Sequence, residues 1–161
     1  MKKLTLTFLI ILFALTSNVV LSADYKKGWD AFESGDYATA LSEWRPLAEK
    51  GDASSQNGMG YLYEKGFGVP EDYKTAMKWY RLAAEQGDAG AQYNLGLMYY
   101  YGDGVIQNNV YAHMWVNISA SNGYEDGVEA RDTIAKEMTS ADISQAQNLA
   151  RECVAKNYKG C

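Results

Sequence analysis

The chain has 161 residues, 47% of them apolar, and a formal net charge of −5 at pH 7. This length supports one compact domain or a short solenoid, and the composition allows a folded core. The excess of acidic residues argues against a nucleic-acid-binding protein, which needs a positive face, and against a protein that adheres to anionic membranes.

Residues 1–23 have the composition of a secretory signal peptide. Two lysines precede an apolar run from Leu4 to Leu15, and the segment ends on a small residue, Ala23. We therefore predict cleavage after Ala23 and a periplasmic or secreted protein that is not attached to the membrane. The alternative is an uncleaved membrane anchor over residues 4–21, but Asn18 interrupts this stretch, and a spanning helix needs about 20 mostly apolar residues.

An internal repeat of 36 residues dominates the rest of the sequence. When residues 51–86 are placed on 87–122, twelve positions are identical without a gap, and residues 36–52 placed on 72–88 give nine identities in seventeen. Repeats at such a period indicate a solenoid, in which each unit covers the apolar face of its neighbour. Most of the identical residues are glycine, alanine or aromatic, and we interpret Tyr63, Tyr99, Trp79 and Trp115 among them as packing residues.

Each unit of the repeat predicts two helices. The first runs from Ala53 to Glu64 and ends at a glycine-rich loop, since glycine readily takes the left-handed conformation of a helix exit. Asp72 is placed to cap the second helix, which has an amphipathic apolar stripe. Gly60 and Gly96 fall inside first helices, where glycine costs about 1 kcal/mol relative to alanine. We expect two helices to cross closely at these glycines.

The segment after the repeats predicts two further helices, Asp126–Met138 and Ser140–Lys156, and contains the chain's two cysteines. Cys153 and Cys161 both lie in the part that is expected to be exported. Paired cysteines in an oxidising compartment usually form a disulfide, which we predict here; two free thiols are the alternative. Terminal units of a solenoid must cover exposed core, and this segment suits that role.

Two stretches resemble the Sel1-like repeats, relatives of the tetratricopeptide repeats. They are AQYNLGLMYYYGDGV at 91–105 and DYKTAMKWYRLAAEQGDAGAQ at 72–92. The resemblance implies an all-α, right-handed superhelical solenoid of antiparallel helix hairpins. The units that it implies are a tetratricopeptide-like opening hairpin, two Sel1-like repeats and a pair of C-terminal capping helices, at residues 24–52, 53–88, 89–124 and 125–161.

No motif in the sequence points to catalysis, to a cofactor or to a metal site. There is no Ser-His-Asp set, HExxH helix, phosphate-binding GKS/T loop or cysteine–histidine cluster. His113, the single histidine, aligns with Met77 of the first unit, so packing or plain exposure explains it better than catalysis. Some cysteine-rich relatives have been linked to β-lactam binding and hydrolysis, but this chain lacks their cysteine pair in every repeat.

The resemblance places the first helix of each unit along a concave groove that takes a partner. By alignment on Gly60 and Gly96, the groove positions are Asn57, Tyr61, Glu64, Lys65, Tyr93, Leu97, Tyr100 and Tyr101. Tyrosine gives large, stiff contact area with a polar tip and is enriched in interfaces. We therefore predict a binding patch; the alternative is that these tyrosines fill gaps between helices. The predicted patch comprises Tyr61, Tyr93, Leu97, Tyr100 and Tyr101.

Taken together, these features predict a non-catalytic interaction scaffold in the cell envelope whose groove binds a peptide or protein partner. A structural subunit of an envelope complex is the second hypothesis, and a β-lactam-interacting hydrolase relative is the third. Fold resemblance alone does not decide among them, since function lies in the site that the fold carries.

Overall fold

The computed structural model describes residues 25–161, so the expected signal peptide at 1–23 lies outside the described residues. This part of the chain is all-helical, with eight helices and no strand. None of these helices is both long and apolar enough to cross a bilayer. The helices are α1 (25–33), α2 (Tyr37–Glu49), α3 (Ala53–Lys65), α4 (Tyr73–Ala84), α5 (Ala89–Tyr101), α6 (Asn109–Ser121), α7 (Asp126–Ala135) and α8 (Ser140–Ala155).

The helices form successive hairpins that stack in chain order. Within the repeats, α3 packs on α4 and α5 packs on α6, while α2 contacts α3 and α4 contacts α5 across the joints between hairpins. At the C-terminal end, α7 and α8 both pack on α6. The all-α solenoid that the sequence predicts is therefore confirmed.

Short polar side chains set the beginnings of the repeat helices. Asp52 and Asp88 begin the first helices, and each carboxylate accepts the backbone N–H three residues later at 2.7 Å. Asp72 and Asn108 begin the second helices, and each accepts two backbone N–H groups. These bonds satisfy donors that have no partner within the helix, so the caps fix where each helix begins.

Two helical glycines allow the helices of each repeat to cross closely, as the sequence predicts. A Cβ atom on Gly60 would lie 2.6 Å from the ring of Tyr80. A Cβ atom on Gly96 would lie 2.7 Å from Val116 Cγ1 and 3.1 Å from the Val116 backbone nitrogen. Since real Cβ atoms do not approach other heavy atoms this closely, any larger residue would push the two helices apart.

The apolar core divides into a cluster around Trp44 at the N-terminal end and a larger cluster around Trp115, which extends from α4 through the second repeat to α7 and α8, the helix pair that we call the cap. Both indole rings are almost completely buried, while Trp79 is half-buried at the edge of the first cluster. His113 is buried on α6. Burial lowers the pKa of His113; Arg131 nearby lowers it further, while Asp132 raises it.

The C-terminal end is closed by the predicted disulfide between Cys153 and Cys161, with an S–S distance of 2.16 Å. Inside this ring Tyr158 takes a left-handed conformation with φ 65°. Its ring lies against Gly87, and its hydroxyl is 3.2 Å from the side-chain amide of Asn122. Through Tyr158, the disulfide-closed loop therefore connects the end of α8 to the turns that follow α4 and α6.

Replacing Gly96 by alanine should destabilise the fold. The added methyl must displace the Val116 side chain and crowds the backbone of α6, so we expect the free energy of unfolding to fall by about 1–3 kcal/mol, despite the better helix propensity of alanine. Urea unfolding measures this change. Ser144→Ala, at an exposed position on α8, serves as a control that should stay within about 0.5 kcal/mol of the parent. A Gly96→Ala protein as stable as the parent would contradict the close crossing.

Opening the disulfide should loosen the cap. The ring closes over a sequence separation of 8 residues, for which the chain-entropy model gives about 2–3 kcal/mol of stabilisation. We expect reductant to lower the free energy of unfolding of the parent by this amount. Cys161→Ser should unfold at the lower value with and without reductant, and a reductant-insensitive parent would count against this role.

The buried histidine should make stability depend on pH. Above about pH 6.5 His113 is neutral in both states, but below it the unfolded chain binds a proton that the folded chain takes up only at lower pH. The free energy of unfolding therefore falls as the pH drops below about 6.5. His113→Met, which copies Met77 of the first repeat, should flatten this dependence in urea unfolding between about pH 6.5 and pH 5. Identical slopes for both proteins would show that His113 contributes nothing.

Candidate partner-binding groove

Side chains from α1, α3, α5 and α7 line one face of the described solenoid. At its N-terminal end they form a depression of about 350 Å³, rich in exposed or half-buried rings, which we call the aromatic compartment. Its rings contact one another: Phe32, for instance, lies 5.6 Å from Tyr61, centroid to centroid, in an edge-on arrangement. The aromatic compartment is lined by Tyr25, Trp29, Phe32, Trp44, Asn57, Gly58, Tyr61, Asn94 and Tyr124.

A second depression of about 320 Å³ lies between α5 and α7, and we call it the acidic compartment. Helix α5 contributes tyrosines and a leucine, and α7 contributes two exposed carboxylates from its first turn. None of the described residues that line it carries a positive charge. The acidic compartment is lined by Tyr93, Leu97, Tyr100, Tyr101, Asp126, Glu129, Ala130, Thr133 and Ile134.

A pair of tyrosines separates the two compartments. The rings of Tyr93 and Tyr124 pack with their centroids 4.9 Å apart; Tyr93 lines the acidic compartment and Tyr124 the aromatic one. Burial raises the pKa of each tyrosine, and Asp126 raises both further. Both phenols therefore stay neutral around pH 7, and the pair is an uncharged wall between the aromatic compartment and the acidic compartment.

Two asparagines join neighbouring first helices beside the wall. The side-chain amide of Asn94 donates to the amide oxygen of Asn57 at 3.1 Å, which links α5 to α3. Asn94 also borders a smaller depression of about 200 Å³ that contains Glu64, Lys65 and Asp103 near the loop ends of these helices. Lys65 forms an ion pair with Glu64, and its Nζ lies 5.6 Å from the centroid of the Tyr61 ring.

The sequence-predicted patch residues all lie in this groove but do not form one surface. Leu97, Tyr100 and Tyr101 line the acidic compartment with Tyr93, whereas Tyr61 belongs to the aromatic compartment on the other side of the tyrosine wall. Tyr101 is 65% exposed. Tyr100 is half-buried and donates its hydroxyl to Glu137 at 2.7 Å, so this tyrosine also holds α5 against the cap. Whether these residues bind a partner stays a prediction.

The groove also contains residues that the sequence reasoning missed. Tyr25, Trp29 and Phe32 follow one another at spacings of four and three residues, which places them on one face of α1. This aromatic stripe can be recognised in the sequence, but it lies outside the 36-residue repeat from which the groove positions were predicted. Asp126 and Glu129 belong to the cap, where no repeat relates them to the tyrosines of α5. Only the structure shows that these carboxylates lie beside those tyrosines.

The described residues contain no group of three or more histidine, cysteine or carboxylate side chains that could hold a metal ion. His113 lies buried in the core rather than in the groove, consistent with the packing role that its alignment with Met77 predicts. The accessible groove side chains are mainly rings, carboxylates and amides, an arrangement suited to holding a ligand by contact and hydrogen bonding.

Comparison with known proteins identifies the repeat. The Sel1 repeat model matches residues 53–88 and 89–124. A search of the curated proteins finds no match. Among solved structures, the chain is similar to a protective antigen present in uropathogenic Escherichia coli strains that displays an SLR fold. The two share 30% identity with a TM-score of 0.80 over 86% of this chain and 31% of that one.

A second solved structure, a Sel1 repeat protein from Oxalobacter formigenes, shares 30% identity with a TM-score of 0.67 over 80% of this chain and 55% of that one. The chain thus spans about a third of the first of these proteins and just over half of the second. The repeat match and both structural similarities agree with the helix hairpins described above. The chain is therefore a Sel1-repeat protein that carries two Sel1 repeats.

Proposed function

We propose that this protein is a non-catalytic scaffold of the cell envelope that holds a segment of a partner protein in its concave groove. The observation that carries the proposal is the set of partly exposed rings in the groove, above all Trp29, 41% exposed, and Tyr101, 65% exposed. Large exposed rings held on a rigid frame are typical of surfaces that bury them against a partner. Proteins with Sel1 repeats are generally protein-interaction scaffolds, which supports this function.

The frame suits binding because ordering the groove costs little on association. The rings of Tyr61 and Tyr101 project from α3 and α5, whose ends are capped and whose crossings with the second helices are fixed by Gly60 and Gly96. A partner segment therefore meets side chains whose backbone is already in place, and less of the binding free energy is lost to ordering the scaffold.

The proposed location in the envelope rests on two features. Residues 1–23 have the composition of a secretory signal peptide, and Cys153 and Cys161 form a disulfide. Disulfides persist in oxidising compartments such as the periplasm and the cell exterior. We therefore propose that the protein works in the periplasm or outside the cell.

Crosslinking in intact cells tests both parts of the proposal. A photo-crosslinking amino acid placed at Trp29 or Tyr101 should capture the same partner, whereas placed at Leu82 or Val154, exposed positions away from the groove, it should not. Mass spectrometry of the crosslinked product should show that this protein begins directly after Ala23. Equal capture from all four positions would contradict groove binding, and an intact residue 1–23 segment would contradict export with cleavage.

Alanine variants give the energetic counterpart. Trp29→Ala and Tyr101→Ala should each weaken capture of that partner by about tenfold or more, because a buried aromatic anchor is worth at least about 1–2 kcal/mol in an interface. Leu82→Ala is the matched control and should leave capture unchanged. Tyr101→Ala and Leu82→Ala should unfold within about 1 kcal/mol of the parent, since these side chains are largely exposed. Trp29→Ala also loses ring contacts with Tyr25 and Phe32, so its capture is measured under conditions in which urea unfolding shows that it is folded. A partner held in fixed stoichiometry despite both groove variants would favour a structural subunit of an envelope complex.

A further inference from the structure

The acidic compartment combines ring faces with negative charge. Tyr93, Tyr100 and Tyr101 project from α5 toward Asp126 and Glu129 of α7, and none of the described residues that line the compartment is cationic. An aromatic face attracts cations through its quadrupole, and a carboxylate attracts them through its charge. Both features therefore favour the same class of side chain in a partner.

The groove already shows this kind of contact within the molecule. Lys65 lies over the Tyr61 ring, with Nζ 5.6 Å from the centroid, and is neutralised by its ion pair with Glu64. At the acidic compartment, no lysine or arginine of the lining plays the corresponding part for Asp126 and Glu129. The negative field there reaches the rings, because Asp126 and Glu129 both raise the pKa of Tyr93, after burial as the largest cause.

Resting on the proposed function, we propose that the groove recognises an extended, basic segment of its partner protein. A lysine or arginine of that segment occupies the acidic compartment, and an aromatic or aliphatic side chain of the same segment occupies the aromatic compartment. The methylene stem of the basic residue lies along Leu97 and Ala130, and its charged head reaches Asp126 and Glu129. The net charge of −5 of the full chain becomes −7 once Lys2 and Lys3 are removed with residues 1–23, and it favours the same partner at longer range.

The region between the compartments suits an extended backbone. Each primary amide has two N–H donors and an oxygen with two lone pairs. The bond between the two asparagines uses one N–H of Asn94 and one lone pair of Asn57. The remaining groups are available for the peptide N–H and C=O groups of a partner. Helices packed about 8–10 Å apart make the path from α1 to α7 roughly 25–30 Å long, which an extended segment of about eight residues spans.

Selection of random dodecapeptides displayed on phage tests this specificity. The baits are the parent protein, an acidic-compartment variant (Asp126→Asn with Glu129→Gln) and a matched control that removes two exposed carboxylates elsewhere (Glu49→Gln with Glu152→Gln). We expect the parent and the control to enrich peptides with a lysine or arginine and an aromatic or aliphatic residue. The acidic-compartment variant should lose most of the basic enrichment, since only the tyrosine faces remain to attract a cation, and keep the apolar enrichment.

A selected peptide, synthesised with its basic residue and with glutamine in its place, then gives a double-mutant cycle. With the parent, the glutamine peptide should bind about five- to thirty-fold more weakly, the sum of modest carboxylate and cation–π contributions. With the acidic-compartment variant, which keeps the tyrosines, the difference between the two peptides should shrink to about two- to five-fold, the cation–π contribution alone. Asp126 and Glu129 also stabilise the first turn of α7, but a loss of folding would weaken both peptides equally, so the cycle isolates the direct contact.

The outcomes separate this inference from the proposed function. Peptides that need Trp29 but carry no basic residue would overturn the inference and leave groove binding in place. Failure to select any peptide whose binding is lost with Trp29→Ala would overturn groove binding itself. A concentration-dependent dimer that Trp29→Ala dissociates in sedimentation would show that a second copy fills the groove, which also overturns the inference.

Discussion

The close contact of two helices at Gly60 and at Gly96 is the constraint on which the rest of the structure depends. At Gly60 the ring of Tyr80 takes the space of a side chain, and at Gly96 Val116 does. Since the first helix of each repeat is pressed against its partner on this side, its opposite side is left to face the groove. The glycines thus cost helix propensity but fix which residues of α3 and α5 are presented to a ligand.

Hydrogen bonds repeat with the same 36-residue period and carry the geometry from one unit to the next. Gln56 donates to the carbonyl of Ala48 at 3.0 Å, and Gln92 donates to Ala84 at 3.1 Å. Within each repeat, Gln86 donates to Gln56 and Asn122 donates to Gln92, which links the end of the second helix to the start of the first. The buried side-chain amides of Gln56 and Gln92 each therefore donate to one adjacent helix and accept from another. In a solenoid whose units contact mainly their neighbours, such bonds set the stacking angle of every unit relative to the last.

Much of the fold was readable from single residues because each acts through local chemistry. Asp72 begins a helix wherever its carboxylate meets free backbone N–H groups, and Gly66 ends one because its φ of 68° suits glycine. The disulfide partners followed from there being two cysteines. The groove was harder, because the alignment gave the positions of Tyr93 and Tyr101 on their helix but not what faces them. The tyrosine wall and the carboxylates of α7 depend on contacts between segments that no repeat relates.

The wall of Tyr93 and Tyr124 divides the groove into two halves, and the two halves differ in how readily their lining residues can be substituted. The aromatic half shares Trp44 and Gly58 with the packed core, so its shape is bound to the stability of the N-terminal hairpins. In the other half, Asp126 and Glu129 are exposed on a helix that obeys no repeat pattern. Exchanges there alter charge without disturbing packing. Related scaffolds could therefore differ in the sign of the charge that this compartment binds while keeping the same aromatic compartment. A change of partner then requires few substitutions and little loss of stability.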